Sequence, residues 1–419
     1  MTLLADLLST VFDRRYRRES HETQTDGRPL TELAAALVGS AGETSGLALA
    51  EEILSRFSDL DDAAKLAFFR HIATTMNIDP ERVRTTLDDY EKAPSKVSYR
   101  AFAEAAEPAR QEFVRRLNRV PGATGALVQM RANLLRLGRK EPELQALDLD
   151  FRHLFASWFN RGFLVLRPIS WESPAHILEK IIAYEAVHAI DSWEDLRRRL
   201  EPADRRCFAF FHPSMPDEPL IFVEVALSKG IPSSVQDLLA EDRTSMAAEQ
   251  ADTAVFYSIS NCQAGLASIS FGNSLIKQVA ADLAAELAGL KTFVTLSPIP
   301  GLSAWLSQEG QSLGEDTGTN IQSLAAYYLL NAKSRGGQPL DPVARFHLGN
   351  GAIVHAVHAG ADTSDKGRAQ SGGTMVNYLY DLSKVAQNHE NFVTTREVVA
   401  TAEVKALADA VSLPAAQER

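Results

Sequence analysis

The sequence predicts an α+β to α/β protein in two parts, an N-terminal all-helical bundle followed by a mixed-sheet domain. Three observations predict it. Residues 30–158 carry helical apolar spacing with no strand-like run, strand-like runs begin near Asn160, and residues 251–297 read as strand, turn, helix, strand. A chain of 419 residues suits two or three domains. The expected boundaries are an extension over 1–30, a helical domain over 31–158 and a second domain over 159–413.

In the first part, Leu47, Ile53, Leu54, Phe57 and Leu60 approximate a 3.6-residue stripe, and Leu66, Phe68 and Phe69 continue it. Asp79-Pro80-Glu81 reads as an N-cap with proline at the first helical position. Further helices fit 97–118 and 123–138, separated by Pro121-Gly122. Short-looped helices of this kind make a bundle. It lacks acids or histidines at metal-ligand spacing, so it reads as a scaffold or subunit interface.

In the second part, Phe163-Leu164-Val165-Leu166 reads as a strand, and Ser173-Pro174 as a cap and first turn of a helix whose apolar side includes Ile177, Ile181, Ile182 and Tyr184. Strands follow at Cys207–Phe211 and Leu220–Leu227. The prolines at 213, 216 and 219 make the linker between them a rigid turn. Val255–Cys262 is the next strand, and Leu275, Ile276, Val279, Leu283 and Leu287 share one side of the helix that follows. Thr292–Leu296 supplies another strand, with helices after Pro300-Gly301 and over Asn320–Leu330. The pattern fits neither eight regular β/α units nor a doubly wound fold with its glycine fingerprint.

Formal net charge is -11, and the basic residues are interleaved with acids, which argues against a nucleic-acid binder. The run Arg14-Arg15-Tyr16-Arg17-Arg18 is too short and isolated to reverse this. The two cysteines, Cys207 and Cys262, each lie in an apolar run and read as buried free thiols in a reducing compartment. The N-terminus lacks an uninterrupted apolar h-region and no stretch reaches about 18 apolar residues, so no membrane span is predicted and a cytoplasmic protein is expected.

The turn Gln263-Ala264-Gly265-Leu266-Ala267-Ser268-Ile269-Ser270-Phe271-Gly272 joins a strand to a helix, an arrangement that presents main-chain N–H groups to an anion. It matches neither a P-loop nor a dinucleotide fingerprint, so phosphate contact and a purely structural turn both stand. Asn273 or Ser274 would cap the helix. Lys277, one turn on, is either a point charge for a phosphate or a solvated helix lysine.

At Leu296-Ser297-Pro298-Ile299-Pro300-Gly301 and Phe346-His347-Leu348-Gly349-Asn350-Gly351-Ala352 the chain resembles the malonyl-CoA decarboxylase family. Supporting blocks are His212–Leu220, Phe256–Ser260, Gly272–Lys277 and Asn377-Tyr378-Leu379-Tyr380, and the resemblance spans roughly residues 90–380. It implies a helical domain used in assembly, a homotetramer, and a catalytic domain like the acetyl-CoA-dependent N-acetyltransferases. It also implies malonyl-CoA as substrate and acetyl-CoA as product, with coenzyme A pyrophosphate on the turn Gln263–Gly272, and a catalytic serine and histidine at Ser297 and His347. Animal members carry a glutamate where this chain has Ser270, so no glutamate role transfers there. The peroxisomal tripeptide of some animal members is absent.

The implied reaction requires no metal and no cofactor beyond the coenzyme A carried by substrate and product, because the thioester is itself the electron sink. His347 suits protonation of the enolate near neutral pH, although a core histidine would look the same in one sequence. Ser297 precedes Pro298, which biases it to extended backbone. Its hydroxyl would orient the malonyl carboxylate or relay a proton. No Gly-x-Ser-x-Gly elbow surrounds it. Glu224, an acid inside an apolar run, either takes part or is a strand-edge or salt-bridged residue. His355 and His358 read as strand positions on opposite faces rather than as zinc ligands. Asn320, Tyr327 and Tyr328 either border an acyl pocket or cap and pack their helix. The competing functions are an acyltransferase to an amine and an inactive acyl-CoA-binding module.

Overall fold

The computed structural model describes residues 26–40, 42–269, 275–310 and 320–411. The chain divides into two compact units. One holds the chain up to Val165 together with Phe211–Pro219 and Gln263–Ser270, and the other holds Leu166–Phe210, Leu220–Cys262 and Phe271–Arg419.

The first unit contains α1 (Leu30–Gly39), α2 (Glu43–Asp59), α3 (Asp62–Thr75), α4 (Pro80–Lys92), α5 (Lys96–Ala106), α6 (Ala109–Leu117), α7 (Ala123–Leu137) and α8 (Pro142–Trp158). Asp61 caps α3 through the Ala64 N–H, and Asp79 caps α4 through the N–H groups of Glu81 and Arg82 with Pro80 at the first position, as the sequence predicts. The single helix expected over 97–118 is two. Pro108 has no N–H to give and biases Glu107 to extended backbone, so α5 stops and α6 starts afresh. Phe57, Phe68, Phe69 and Phe113 form the aromatic centre, with ring centroids 5.4–6.2 Å apart. Helix α4 has no buried residue, and α5 buries only Ala105.

The turn after Cys262 also packs in this unit. Gly265 lies so close to α7 that a Cβ there would stand 1.9 Å from the Val128 carbonyl oxygen. Arg131, buried on α7, donates to the carbonyls of Gly265 (2.7 Å) and Ala267 (2.9 Å) and pairs with Asp148 at 2.8 Å.

The second unit is built on a mixed sheet with strands β1 (Val165–Ile169), β2 (Arg205–His212), β3 (Met215–Ser228), β4 (Thr253–Asn261), β5 (Thr292–Thr295), β6 (Ser297–Pro298), β7 (Ile353–His358) and β8 (Met375–Leu379). Their order is β1-β2-β3-β4-β5-β8-β6, with β7 on β8. Its helices are α9 (Ala175–Tyr184), α10 (Trp193–Leu200), α11 (Val235–Leu239), α12 (Leu275–Glu286), α13 (Leu302–Gln308), α14 (Ile321–Asn331), α15 (Pro342–Gly349), α16 (Asp365–Ser371), α17 (Val385–Thr395) and α18 (Ala402–Asp409).

Three local expectations shift. The strand expected at Phe163–Leu166 begins at Val165, after a 3₁₀ turn over Arg161–Phe163. Ser173 does not cap α9. Its hydroxyl accepts the Ser170 N–H, and Pro174 stands outside the helix in extended backbone. The proline-rich linker is mostly strand, since β3 already starts at Met215 and contains Pro216 and Pro219.

The sheet parts where the site lies. β4 and β5 run parallel over Thr253–Phe256 and Thr292–Thr295, ending at the pair Phe256↔Thr295. β4 then continues beside β3 to Asn261, whereas Ser297 pairs with Val376 of β8. Glu224 opposes Ser258 and Val225 opposes Phe256, so Tyr257 is the extra residue of a bulge.

Candidate active site

Ser297 sits two residues past the end of β5, and Pro298 after it keeps the backbone extended against β8. His347 lies in the last turn of α15, whose start is set by Asp341 accepting the N–H groups of Val343 and Ala344, each at 2.9 Å, with Pro342 at the first position. After α15, Gly351 turns the chain at φ +85°, and a Cβ there would lie 2.0 Å from the Val385 carbonyl oxygen. Gly351→Ala should therefore destabilise the fold by about 1–3 kcal/mol. A lowered thermal midpoint would show it, and an unchanged one would remove the argument.

These two segments converge. Ser297 Oγ lies 3.2 Å from His347 Nε2 and donates to Thr295 Oγ1 at 2.8 Å, while His347 Nδ1 lies 2.8 Å from the Tyr380 hydroxyl. Tyr378 stacks on the imidazole at 4.6 Å and 24°, and its N–H donates to Thr295 Oγ1 at 3.2 Å. One hydrogen arrangement satisfies the row: Tyr380 donates to Nδ1, Nε2–H to Ser297, and Ser297 to Thr295. Ser297 is 5% exposed and His347 2%. Burial holds the imidazole down at about 3 and pushes the Tyr380 phenol well up, so both are neutral near pH 7.

The other sequence candidates are distributed as follows. Within the turn after β4, the N–H groups of Leu266, Ala267 and Ile269 are bonded to the carbonyls of Gln263, Ala264 and Leu266. Those three amides are therefore already engaged inside the turn. Gly265 answers to the approach of α7, and Ser268 adopts a left-handed φ of 64° that serines rarely take. Ser270, Phe271 and Gly272, like the cap candidates Asn273 and Ser274, lie outside the described residues. Lys277 is in the first turn of α12.

Glu224 is fully buried, with Arg199 Nη1 3.3 Å from one oxygen and no partner on the other. Burial, then the nearby Glu185, push its carboxyl up to about 8. His358 bonds to Asn377 Oδ1 from β7, and among the described residues no three His, Cys, Asp or Glu side chains group as metal ligands. Asn320 caps α14, Tyr327 stacks on Trp305 at 6.0 Å, and Tyr328 is buried beside Gly301. Both cysteines are buried and free.

Sequence reasoning assigned no role to Thr295, Tyr378 or Tyr380. The signal was the strand alternation itself: Thr295 and Ser297, like Tyr378 and Tyr380, are two residues apart and face the same way.

Comparison with known proteins decides the family. The family model described as "Malonyl-CoA decarboxylase C-terminal domain" matches residues 162–318 and 311–418, and "Malonyl-CoA decarboxylase N-terminal domain" matches 76–159. The chain belongs to the malonyl-CoA decarboxylase family. It is 34% identical over 348 residues to the mitochondrial malonyl-CoA decarboxylase of the goose Anser anser anser, covering 71% of this chain and 69% of that protein. Crystal structures of malonyl-CoA decarboxylases from Rhodopseudomonas palustris and Agrobacterium vitis are similar at 46% and 47% identity. Each gives a TM-score of 0.85 and covers 90% of this chain, with 98% and 99% of theirs.

The cytoplasmic expectation is corrected by the same findings, because the relatives from goose, rat and mouse are all mitochondrial proteins. That expectation rests on the lack of an apolar h-region, whereas mitochondrial leaders are amphipathic and arginine-rich. Among the described residues no helix is long and apolar enough to cross a membrane.

Proposed function

We propose that the convergence of Ser297 and His347 is where this chain converts malonyl-CoA to acetyl-CoA and carbon dioxide. The 3.2 Å contact between two buried groups fifty residues apart is the observation that carries the reading. As carbon dioxide leaves, the electron pair of the breaking C–C bond moves onto the thioester oxygen and an enolate forms. The chain must then supply fixed donors at that oxygen and one proton at carbon.

His347 is neutral in the free protein. An anionic malonyl group beside it favours the charged imidazole, so substrate binding and proton uptake go together. The imidazolium passes that proton through the Ser297 hydroxyl to carbon and ends neutral. Tyr380 and Tyr378 hold the ring in place. The bulge at Tyr257 leaves main chain out of regular pairing, which suits a donor for the enolate oxygen.

Coenzyme A pyrophosphate belongs, on this reading, to the turn Gln263–Gly272 with Lys277 one helical turn on. The amides of Leu266, Ala267 and Ile269 are engaged inside that turn, so on this reading they are not the ones that face the anion. The left-handed Ser268 supports the reading, since such backbone strain gathers at ligand sites. The parting of β4 from β5 supports an N-acetyltransferase-like catalytic domain over 159–413. The helical domain over 31–158 serves assembly, with a homotetramer as the expected state. Its support is the apolar surface left open on α4 and α5, where Leu87, Val97 (79%) and Tyr99 (58%) are exposed.

Incubating the protein with malonyl-CoA and no acyl acceptor tests the activity. One acetyl-CoA per carbon dioxide is the expected result. Unchanged malonyl-CoA in the presence of folded protein refutes it, and turnover only when an amine is added would favour acyl transfer.

A further inference from the structure

The turn after β4 rests on helix α7. Its second half, Leu266–Ile269, closes with the Ile269 N–H donating to the Leu266 carbonyl at 3.0 Å, with Ala267 at φ −52°, ψ 134° and Ser268 at φ 64°. Those angles make a type II turn, whose third residue is normally glycine. A serine there favours the type I alternative, in which the middle peptide, between Ala267 and Ser268, is turned over.

Arg131 of α7 opposes that flip. Its Nη1 donates to the Gly265 carbonyl at 2.7 Å and to the Ala267 carbonyl, the middle one of the turn, at 2.9 Å. The guanidinium is buried, and Asp148 of α8 accepts from its Nε at 2.8 Å. The turn cannot settle closer to α7, because the Gly265 backbone already lies against the Val128 carbonyl.

A trans peptide carries its C=O and N–H on opposite sides. With the Ala267 carbonyl held toward Arg131, the Ser268 N–H faces away from α7. That N–H has no hydrogen-bond partner among the described residues. Ala267 and Ser268 are exposed, whereas Gly265 and Leu266 are buried, so the free N–H stands on the open edge of the turn. Flipped to type I, the same edge would offer the Ala267 carbonyl, which repels an anion, in place of an N–H, which attracts one.

We propose that Arg131 is a positioning residue for coenzyme A, holding the turn so that the Ser268 N–H donates to the pyrophosphate. The inference rests on the reading above that the pyrophosphate lies on Gln263–Gly272. It gives the helical unit a part in substrate binding besides assembly. Arg131 is itself buried, so what reaches the anion is an oriented main-chain dipole rather than a side-chain charge.

The test uses the full chain and reads KM and kcat for malonyl-CoA with the inhibition constant of acetyl-CoA. Arg131→Met keeps bulk but donates nothing, and is expected to raise KM and the acetyl-CoA constant together by about 10–30-fold with kcat within about twofold. Ser268→Gly on that background should recover about three- to tenfold of the affinity, because glycine takes the left-handed angle without help. A side chain needed only for packing would give no such recovery, since glycine loosens a loop further. Unchanged KM, a fall confined to kcat, or no recovery by glycine overturns the proposal. Arg131→Lys keeps the charge and a donor, and serves if Arg131→Met does not fold, with a rise of about 3–10-fold and the same recovery. Ala267→Glu tests the reading beneath it, because a carboxylate on the open edge should weaken both ligands about tenfold if the pyrophosphate lies there. Indifference to Ala267→Glu would refute that placement, whereas an effect of Ala267→Glu with none from Arg131→Met refutes the role of Arg131 alone.

Discussion

Ser297→Ala lowers kcat for malonyl-CoA by about 10²–10³-fold while leaving acetyl-CoA affinity within about twofold. The alanine removes the hydroxyl joining His347 Nε2 to Thr295 Oγ1 without disturbing the extended backbone before Pro298. Coenzyme A is held elsewhere on this reading, so loss of turnover and loss of binding separate. Steady-state rates with product-inhibition constants measure both. If the two fall together, Ser297 is a packing residue.

His347→Gln has the larger expected effect, a fall in kcat of about 10³-fold, because it removes the group that carries the proton to carbon. It also has a signature in stability. The buried imidazole is held at about 3, below its unfolded value near 6.5, so the unfolded chain binds more protons between those values. The contribution of neutral His347 is complete above pH 6.5 and is lost as pH falls toward about 3. The parent should lose stability across that acid window more steeply than the glutamine variant, which has nothing to titrate there. Parallel pH–stability curves would show that His347 is not buried as described.

The elements that local chemistry determines were legible in the sequence. Asp79-Pro80 starts α4 and Asn320 caps α14 because a side chain two or three residues from its target needs no tertiary help. Ser297 and His347 were reached through family resemblance, since nothing local in the sequence distinguishes a catalytic histidine from one buried in the core. Thr295, Tyr378 and Tyr380 were missed because their importance exists only once β5, β8 and α15 meet. The turn holding Gly265 reads in the sequence as either a phosphate contact or a purely structural turn, and what shows only in the fold is that Gly265 makes room for α7, a neighbour about 135 residues earlier in the chain. Ser173 was read as a cap, and the Ser170 N–H claimed it first.

The interleaving of the two units has a consequence for any attempt to cut the protein. The polypeptide passes from one unit to the other five times, so neither is a continuous piece of gene. A fragment ending near residue 159 would strip Trp158 of His212 and leave the guanidinium of Arg131 without the carbonyls of Gly265 and Ala267. The helical half is thus a mosaic that borrows its final pieces from distant stretches of chain, and truncation at the apparent seam would sever what completes it.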